Sequence, residues 1–227
     1  MADDRLRTLI EVIGRFTLPA IDQVHGAAPL SHGRCIISAL VVRDVLRALD
    51  YADAREIPCT VLVGNRLLAG QFDFYLSGKG RGLSNFRHGQ ALAAYRDSGA
   101  YAIHLGGSDT DEDAGRWRGH LVTVVGETLV DLTLGQATRP DQGIDIGATA
   151  VPCATSMLRR DNIIFARHLD TFSGSVAYWY TAPQNRGYRD SLDYQDAGRR
   201  QPVVERVLDY VYQYMPVFRQ NKTSNTP

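Results

Sequence analysis

Apolar residues recur at helical spacing over positions 3–16, where Leu6, Leu9, Ile10, Ile13 and Phe16 follow Asp3 and Asp4 as N-terminal caps. The pattern predicts a helix that breaks around Pro19, then a loop through His25-Gly26-Ala27-Ala28-Pro29. From Cys35 to Leu49, apolar residues return at Ile36, Leu40, Val41, Val45, Leu46 and Leu49. This predicts a second helix with one apolar side and with Arg43, Asp44 and Arg47 on the other. Ser31, His32, Gly33 and Arg34 lead into it, so Cys35 falls at or near its first turn.

Period-two, β-branched runs predict strands at 57–63 (IPCTVLV), at 100–105 and at 175–181. The runs 121–125 and 128–134 read as two more strands joined at Gly126-Glu127, a hairpin signal. Residues 66–86 and 139–147 are expected as loops, 88–97 as a short helix, and 183–201 as polar and turn-rich. A last amphipathic helix is expected over 202–214, with Val203, Val207, Val211 and Tyr214 on one side. No repeat or linker divides the chain, so the expectation is an α+β fold in one domain over 1–219, followed by a disordered tail at 220–227.

Composition narrows the picture. The 227 residues are 44% hydrophobic and 22% charged, which is the balance of a globular chain. Basic and acidic residues number 25 each, so no excess charge favours nucleic acid or an anionic membrane, and neither is expected as a partner. Lysine occurs only at Lys79 and Lys222; with abundant Ala and Gly, this points to a GC-rich bacterial genome. The N-terminus lacks the basic start and apolar run of a secretion signal, and no stretch approaches the roughly 20 apolar residues of a membrane span. A cytoplasmic protein is expected. Cys35, Cys59 and Cys153 are odd in number and far apart, so neither a disulfide framework nor a metal site is predicted. No cofactor motif is present.

A cysteine at a helix N-terminus is well placed to act as a nucleophile. Unpaired backbone N–H groups and the positive end of the helix dipole stabilise a thiolate, and the same donors can hold an oxyanion. The hairpin supplies partners. If Gly126-Glu127 is a two-residue turn, Val125 faces Thr128, Val122 faces Asp131 and His120 faces Thr133. Alternation then puts His120, Val122, Asp131 and Thr133 on one face of the sheet. A carboxylate diagonal to the imidazole can accept its N–H and fix its tautomer, leaving the second nitrogen for a thiol. A one-residue slip in register would separate the two residues.

Gly33-Arg34-Cys35 opens an apolar helix, Trp117-Arg118-Gly119-His120 leads into Leu121–Val125, and Leu129-Val130-Asp131-Leu132-Thr133 follows. This constellation resembles the transglutaminase-like branch of the papain-like superfamily. The resemblance implies a Cys-bearing helix packed on an antiparallel sheet with flanking helices. It also implies three roles: Cys35 as nucleophile, His120 as general base and acid, and Asp131, within an Asp-x-Thr motif, as orienter. Where papain-type peptidases place an oxyanion-donating glutamine, this chain has Pro29. Gln23, His25 and His32 lie upstream as substitutes, and the sequence does not choose among them. Trp117 is a further candidate for shielding the pair or lining an acyl channel.

The expected function is a thiol-dependent enzyme acting on an amide or thioester carbonyl through an acyl-enzyme at Cys35. Water as acceptor gives a peptidase, amidase or deamidase; an amine gives a transglutaminase or acyltransferase. A non-catalytic binding module on the same fold is the reading from a different class. The substrate would be a peptide, a protein or a small acyl compound. Cys59 reads as an inert core residue, Cys153 is unassigned, and His104 ends a strand. Gln136, Arg139 and the acidic run 109–113 read as solvated loops.

Overall fold

The structure is a computed structural model, and it describes residues 2–26, 34–65, 102–105, 117, 119–126, 128–146, 153–154, 163–171, 174–181 and 187–219. Helix and antiparallel sheet are combined in an α+β arrangement. In chain order come α1 (Ala2–His25), α2 (Arg34–Ala48), β1 (Arg55–Gly64), β2 (Ala102–Leu105), β3 (His120–Val125), β4 (Thr128–Val130), β5 (Cys153–Ala154), β6 (Ile163–Thr171), β7 (Gly174–Thr181), α3 (Leu192–Gln195) and α4 (Ala197–Tyr214). The expected helix at 88–97, the acidic run 109–113 and the tail 220–227 lie outside the described residues. The strands form one seven-stranded sheet, in the order β5-β4-β3-β1-β7-β6 with β2 also on β1. β1 is the spine: its first half pairs with β3, and its second half with β2 and β7. The β6 strand was not anticipated, although its pairing with β7 runs nearly its whole length.

Alternation divides the core. On one side of the sheet, Val125, Val130 and Leu132 join Leu9, Ile10, Ile13, Val41, Val45, Val203, Val207 and Val211 from the three long helices. On the other, Val122, Val124 and Leu129 meet Val61 and Val63, covered by Leu134, Ala137, Ile144 and Ile146. The second helix is more central than its sequence implies. It touches α1, α4, α3, β1 and β3, so Arg34, Ser38 and Arg43 are enclosed as well, while Arg47 is exposed. Arg43, expected on a solvated side, is buried and bonded to Glu56 Oε2 of β1 at 2.9 Å and to Asp44 Oδ1. Asp44 also accepts from Arg200 Nε of α4 at 3.0 Å.

Two helix boundaries differ from expectation. α1 does not stop near Pro19 but runs on to His25. Pro19 lies on the exposed side, and Thr17, Ala20 and Ile21 around it are buried, so packing of that face outweighs one lost backbone bond. α4 begins five residues before Pro202, where Asp196 caps it by accepting from Gly198 N at 2.8 Å. Tyr214 is exposed, not aligned with the valines. Residues 187–201, expected as irregular, contain a 3-10 turn at Gly187–Asp190 and the short α3. The segment 139–147 carries a 3-10 turn at Pro140–Gln142 inside a bridge between Arg139 and Ile144.

Because Arg43 is enclosed, Glu56→Ala should destabilise the protein by about 2 kcal/mol, Asp44 covering part of the loss. Arg7→Ala, which breaks an exposed helical pair with Glu11, should cost under about 0.5 kcal/mol. Urea denaturation of the two variants checks the contrast.

Candidate active site

The β3–β4 hairpin has the expected register: Val125 opposes Thr128, Val124 opposes Leu129 and Thr123 opposes Val130. Continued by one residue, it sets Asp131 beside Val122 and diagonal to His120. The second strand, however, ends at Val130 rather than Leu134. Asp131 Oδ1 accepts the backbone N–H of Thr133 at 2.9 Å and its hydroxyl at 3.1 Å. That local turn removes Thr133 from the ladder and leads into a 3-10 turn at Leu134–Ala137. The Asp-x-Thr spacing therefore ends a strand and aims a carboxylate at the same time.

The remaining carboxylate oxygen faces the histidine. His120 Nε2 donates to Asp131 Oδ2 at 2.8 Å, with the residues 3% and 2% exposed. Burial by itself would drive the imidazole neutral. The charge of Asp131, its hydrogen bond, and the hydrogen bond and charge of Cys35 outweigh burial and push the His120 pKa up to about 10. Cys35 thus lies within hydrogen-bonding reach of the ring. With Nε2 committed to Asp131, Nδ1 is the nitrogen left to serve the sulfur.

Each member comes from a different element end. Cys35 is the second residue of α2, among the backbone N–H groups that no helical carbonyl reaches, and it is half-buried. His120 is the first residue of β3, next to Leu121, which belongs to the cluster against which Cys35 packs. Thr123 Oγ1 donates to the Ala39 carbonyl at 2.6 Å, tying β3 to the helix three residues further along. Trp117 packs with Cys35 against Leu121 and Tyr188, its ring 5.3 Å from that of Tyr188. A Cβ at Gly119 would overlap the Trp117 indole, so the glycine is what lets the ring lie against the backbone one residue before His120.

Other sequence candidates fall elsewhere. Gln23 is exposed on α1 and its amide oxygen accepts from Arg206 of α4 at 2.6 Å, so it is not brought to the pair. His25 is exposed and its ring bonds the Arg199 carbonyl at 3.0 Å. His32 and Pro29 lie outside the described residues. His104 is in β2, its backbone opposite Leu62. Cys153 begins β5 opposite Leu129. The Gln136 carbonyl accepts from Arg139, whose guanidinium also reaches the Thr138 carbonyl.

Three features were missed in the sequence. Cys59 stands directly opposite His120 on β1, fully buried. Burial, and then the charges of Asp131 and Cys35, push its thiol well above the usual range, so it stays protonated. The sequence signal was available, since strand pairing of 57–63 with 120–125 puts position 59 there. Tyr188 and Tyr194, packed beside Cys35, sit in a turn-rich stretch that gave no signal.

Among the described residues, no group of three or more His, Cys, Asp and Glu side chains could hold a metal ion. No described helix is long and apolar enough to cross a membrane. No family model, curated protein or solved structure matches this chain.

The raised imidazole pKa fixes the sign of a pH effect. The folded chain keeps a proton that the unfolded chain releases near 6.5, so this stabilisation is fully present below that value and is lost as pH rises through about 10. Between about pH 7 and about pH 10.5, wild type should lose more stability in urea denaturation than His120→Gln does. Equal losses would remove the pair as their source.

Proposed function

We propose that this chain is a thiol-dependent enzyme of the papain-like, transglutaminase-like type, which attacks an amide or thioester carbonyl with Cys35. The observation that carries this reading is the 2.8 Å bond from His120 to a buried Asp131, beside a cysteine in the first turn of a 15-residue helix. The proton of the pair rests on His120, where Asp131 stabilises the imidazolium, and the sulfur attacks as a thiolate. The sulfur adds to the carbonyl, and the oxyanion is met by N–H groups at the start of α2. Collapse passes the imidazolium proton to the leaving amine or thiol and leaves an acyl-thioester on Cys35. Water, deprotonated by the now neutral His120, then releases the acid, expels the Cys35 thiolate and restores the imidazolium. An amine in place of that water gives acyl transfer by the same steps.

The catalytic unit is assigned to residues 1–219, and the setting to the cytoplasm. Cys35 and Cys59 are free thiols, which suits a reducing compartment.

Iodoacetamide should label Cys35 at neutral pH in wild type and leave the enclosed Cys59 untouched. His120→Ala should slow Cys35 labelling about tenfold or more. Cys35→Ser should abolish both labelling at that position and turnover of any acyl substrate. Labelling of Cys59 as fast as Cys35, read by peptide mass spectrometry, would overturn the reading.

A further inference from the structure

A series of aromatic rings adjoins the cluster against which Cys35 packs. Trp117 and Tyr194 complete the cluster of Ile36, Ala39, Leu40, Leu121 and Tyr188 in which Cys35 packs. Tyr188 is the hinge of the series, tilted against Trp117 and edge-on to Tyr194 with centroids 5.4 Å apart. Its ring is buried, while its hydroxyl accepts from Nε of exposed Arg189 at 3.4 Å. The Arg189 guanidinium carbon stands 5.8 Å from the centre of the same ring.

Several arginines on α2 and α4 are held by acids. Arg34 is held by Asp22, Arg43 by Asp44 and Glu56, Arg199 by Asp193, and Arg200 by Asp44. Among the described residues, Arg189 makes no ion pair, and only its Nε is given an acceptor. A guanidinium steadied by a phenol, with a donor fork, is a receptor for a carboxylate. Flat apolar groups pack well on indole and phenol faces. The chain as a whole has zero formal charge, so a preference for anions here would come from this local cation and not from a net field.

We propose that Arg189 is a specificity-determining residue: the acyl group delivered to Cys35 is flat and apolar where it lies along Trp117 and Tyr194, and carries a carboxylate that Arg189 binds. This rests on Cys35 being the reactive thiol. The substrate class is then an aryl or similarly planar acyl donor bearing a carboxylate, presented as an amide or thioester.

Three maleimides separate the contributions, each adding irreversibly to a thiol and read at the Cys35 peptide by mass spectrometry on the full chain. N-ethylmaleimide is the neutral reference, N-phenylmaleimide adds the ring, and N-(4-carboxyphenyl)maleimide adds the charge. In wild type at low salt, the carboxyphenyl reagent should label Cys35 about threefold or more faster than the phenyl reagent, and added salt should erode that ratio. Arg189→Met, which keeps a stem over Tyr188 without the charge, should bring the ratio to about one and leave the phenyl-to-ethyl ratio unchanged; Arg189→Lys should retain most of the preference. A carboxyphenyl-to-phenyl ratio that survives Arg189→Met, or one at or below unity in wild type, overturns the proposal while leaving the reactive thiol in place. Cys35 refusing all three reagents would overturn both.

Discussion

A carboxylate and an imidazole, both enclosed beside the central strand of a sheet, hold their charges only because each has partners placed before the other arrives. Asp131 receives Thr133 N, Thr133 Oγ1 and His120 Nε2 as donors. Two of them come from a turn two residues long, so the acid is solvated by its own chain. Once so held, it can favour the imidazolium against the burial that would otherwise discharge it. The cost falls on the sheet, since β4 has to stop at Val130 for the turn to form. The shortness of that strand and the charge of the histidine share one cause.

The same demand for fixed geometry explains why α2 is pinned on every side. Arg34 ties its first turn to Asp22 at the end of α1, Thr123 bonds its Ala39 carbonyl from β3, and Arg43 anchors it to Glu56 on β1. Asp44 reaches α4 through Arg200, whose guanidinium also holds the Asp193 and Tyr194 carbonyls at the end of α3. One buried cation thereby locates both the cysteine-bearing helix and the aromatic wall beside the sulfur. Buried ion pairs add little net stability over apolar packing, but they permit few alternative arrangements. Here they suppress sliding of α2 past β3, the displacement that would part Cys35 from His120.

Local chemistry made half of this legible from the residues alone. Hairpin register follows from Gly126-Glu127 and from alternation, and the start of α2 follows from the break in hydrophobicity before Cys35; both are matters of near neighbours. What could not be read was set by distant parts of the chain. The continuation of α1 past Pro19 depends on α4 covering its far end, and the enclosure of Arg43 depends on β1 and α4 closing over a helix that looks amphipathic in isolation. Tyr188 and Tyr194 come to Cys35 from more than 150 residues away in a segment with no periodicity. Strand length failed for the opposite reason: the apolar pattern of 128–134 is genuine, but a side chain two residues from Thr133 took its backbone donor.

Two sulfurs lie near one imidazole, and the fold distinguishes them by what surrounds each. Cys59 faces His120 across the ladder, fully enclosed, with the charges of Asp131 and Cys35 both opposing its ionisation. Any thiolate there would lack water and would stand beside an existing negative charge. Cys35 sits instead at a helix start, half-open to solvent, with unpaired N–H groups of its own backbone close by. A carboxylate strong enough to keep His120 protonated is therefore also what keeps Cys59 silent. Asp131, one residue past the end of β4, acts on both: its charge raises the histidine and opposes ionisation of Cys59 across the β3–β1 ladder.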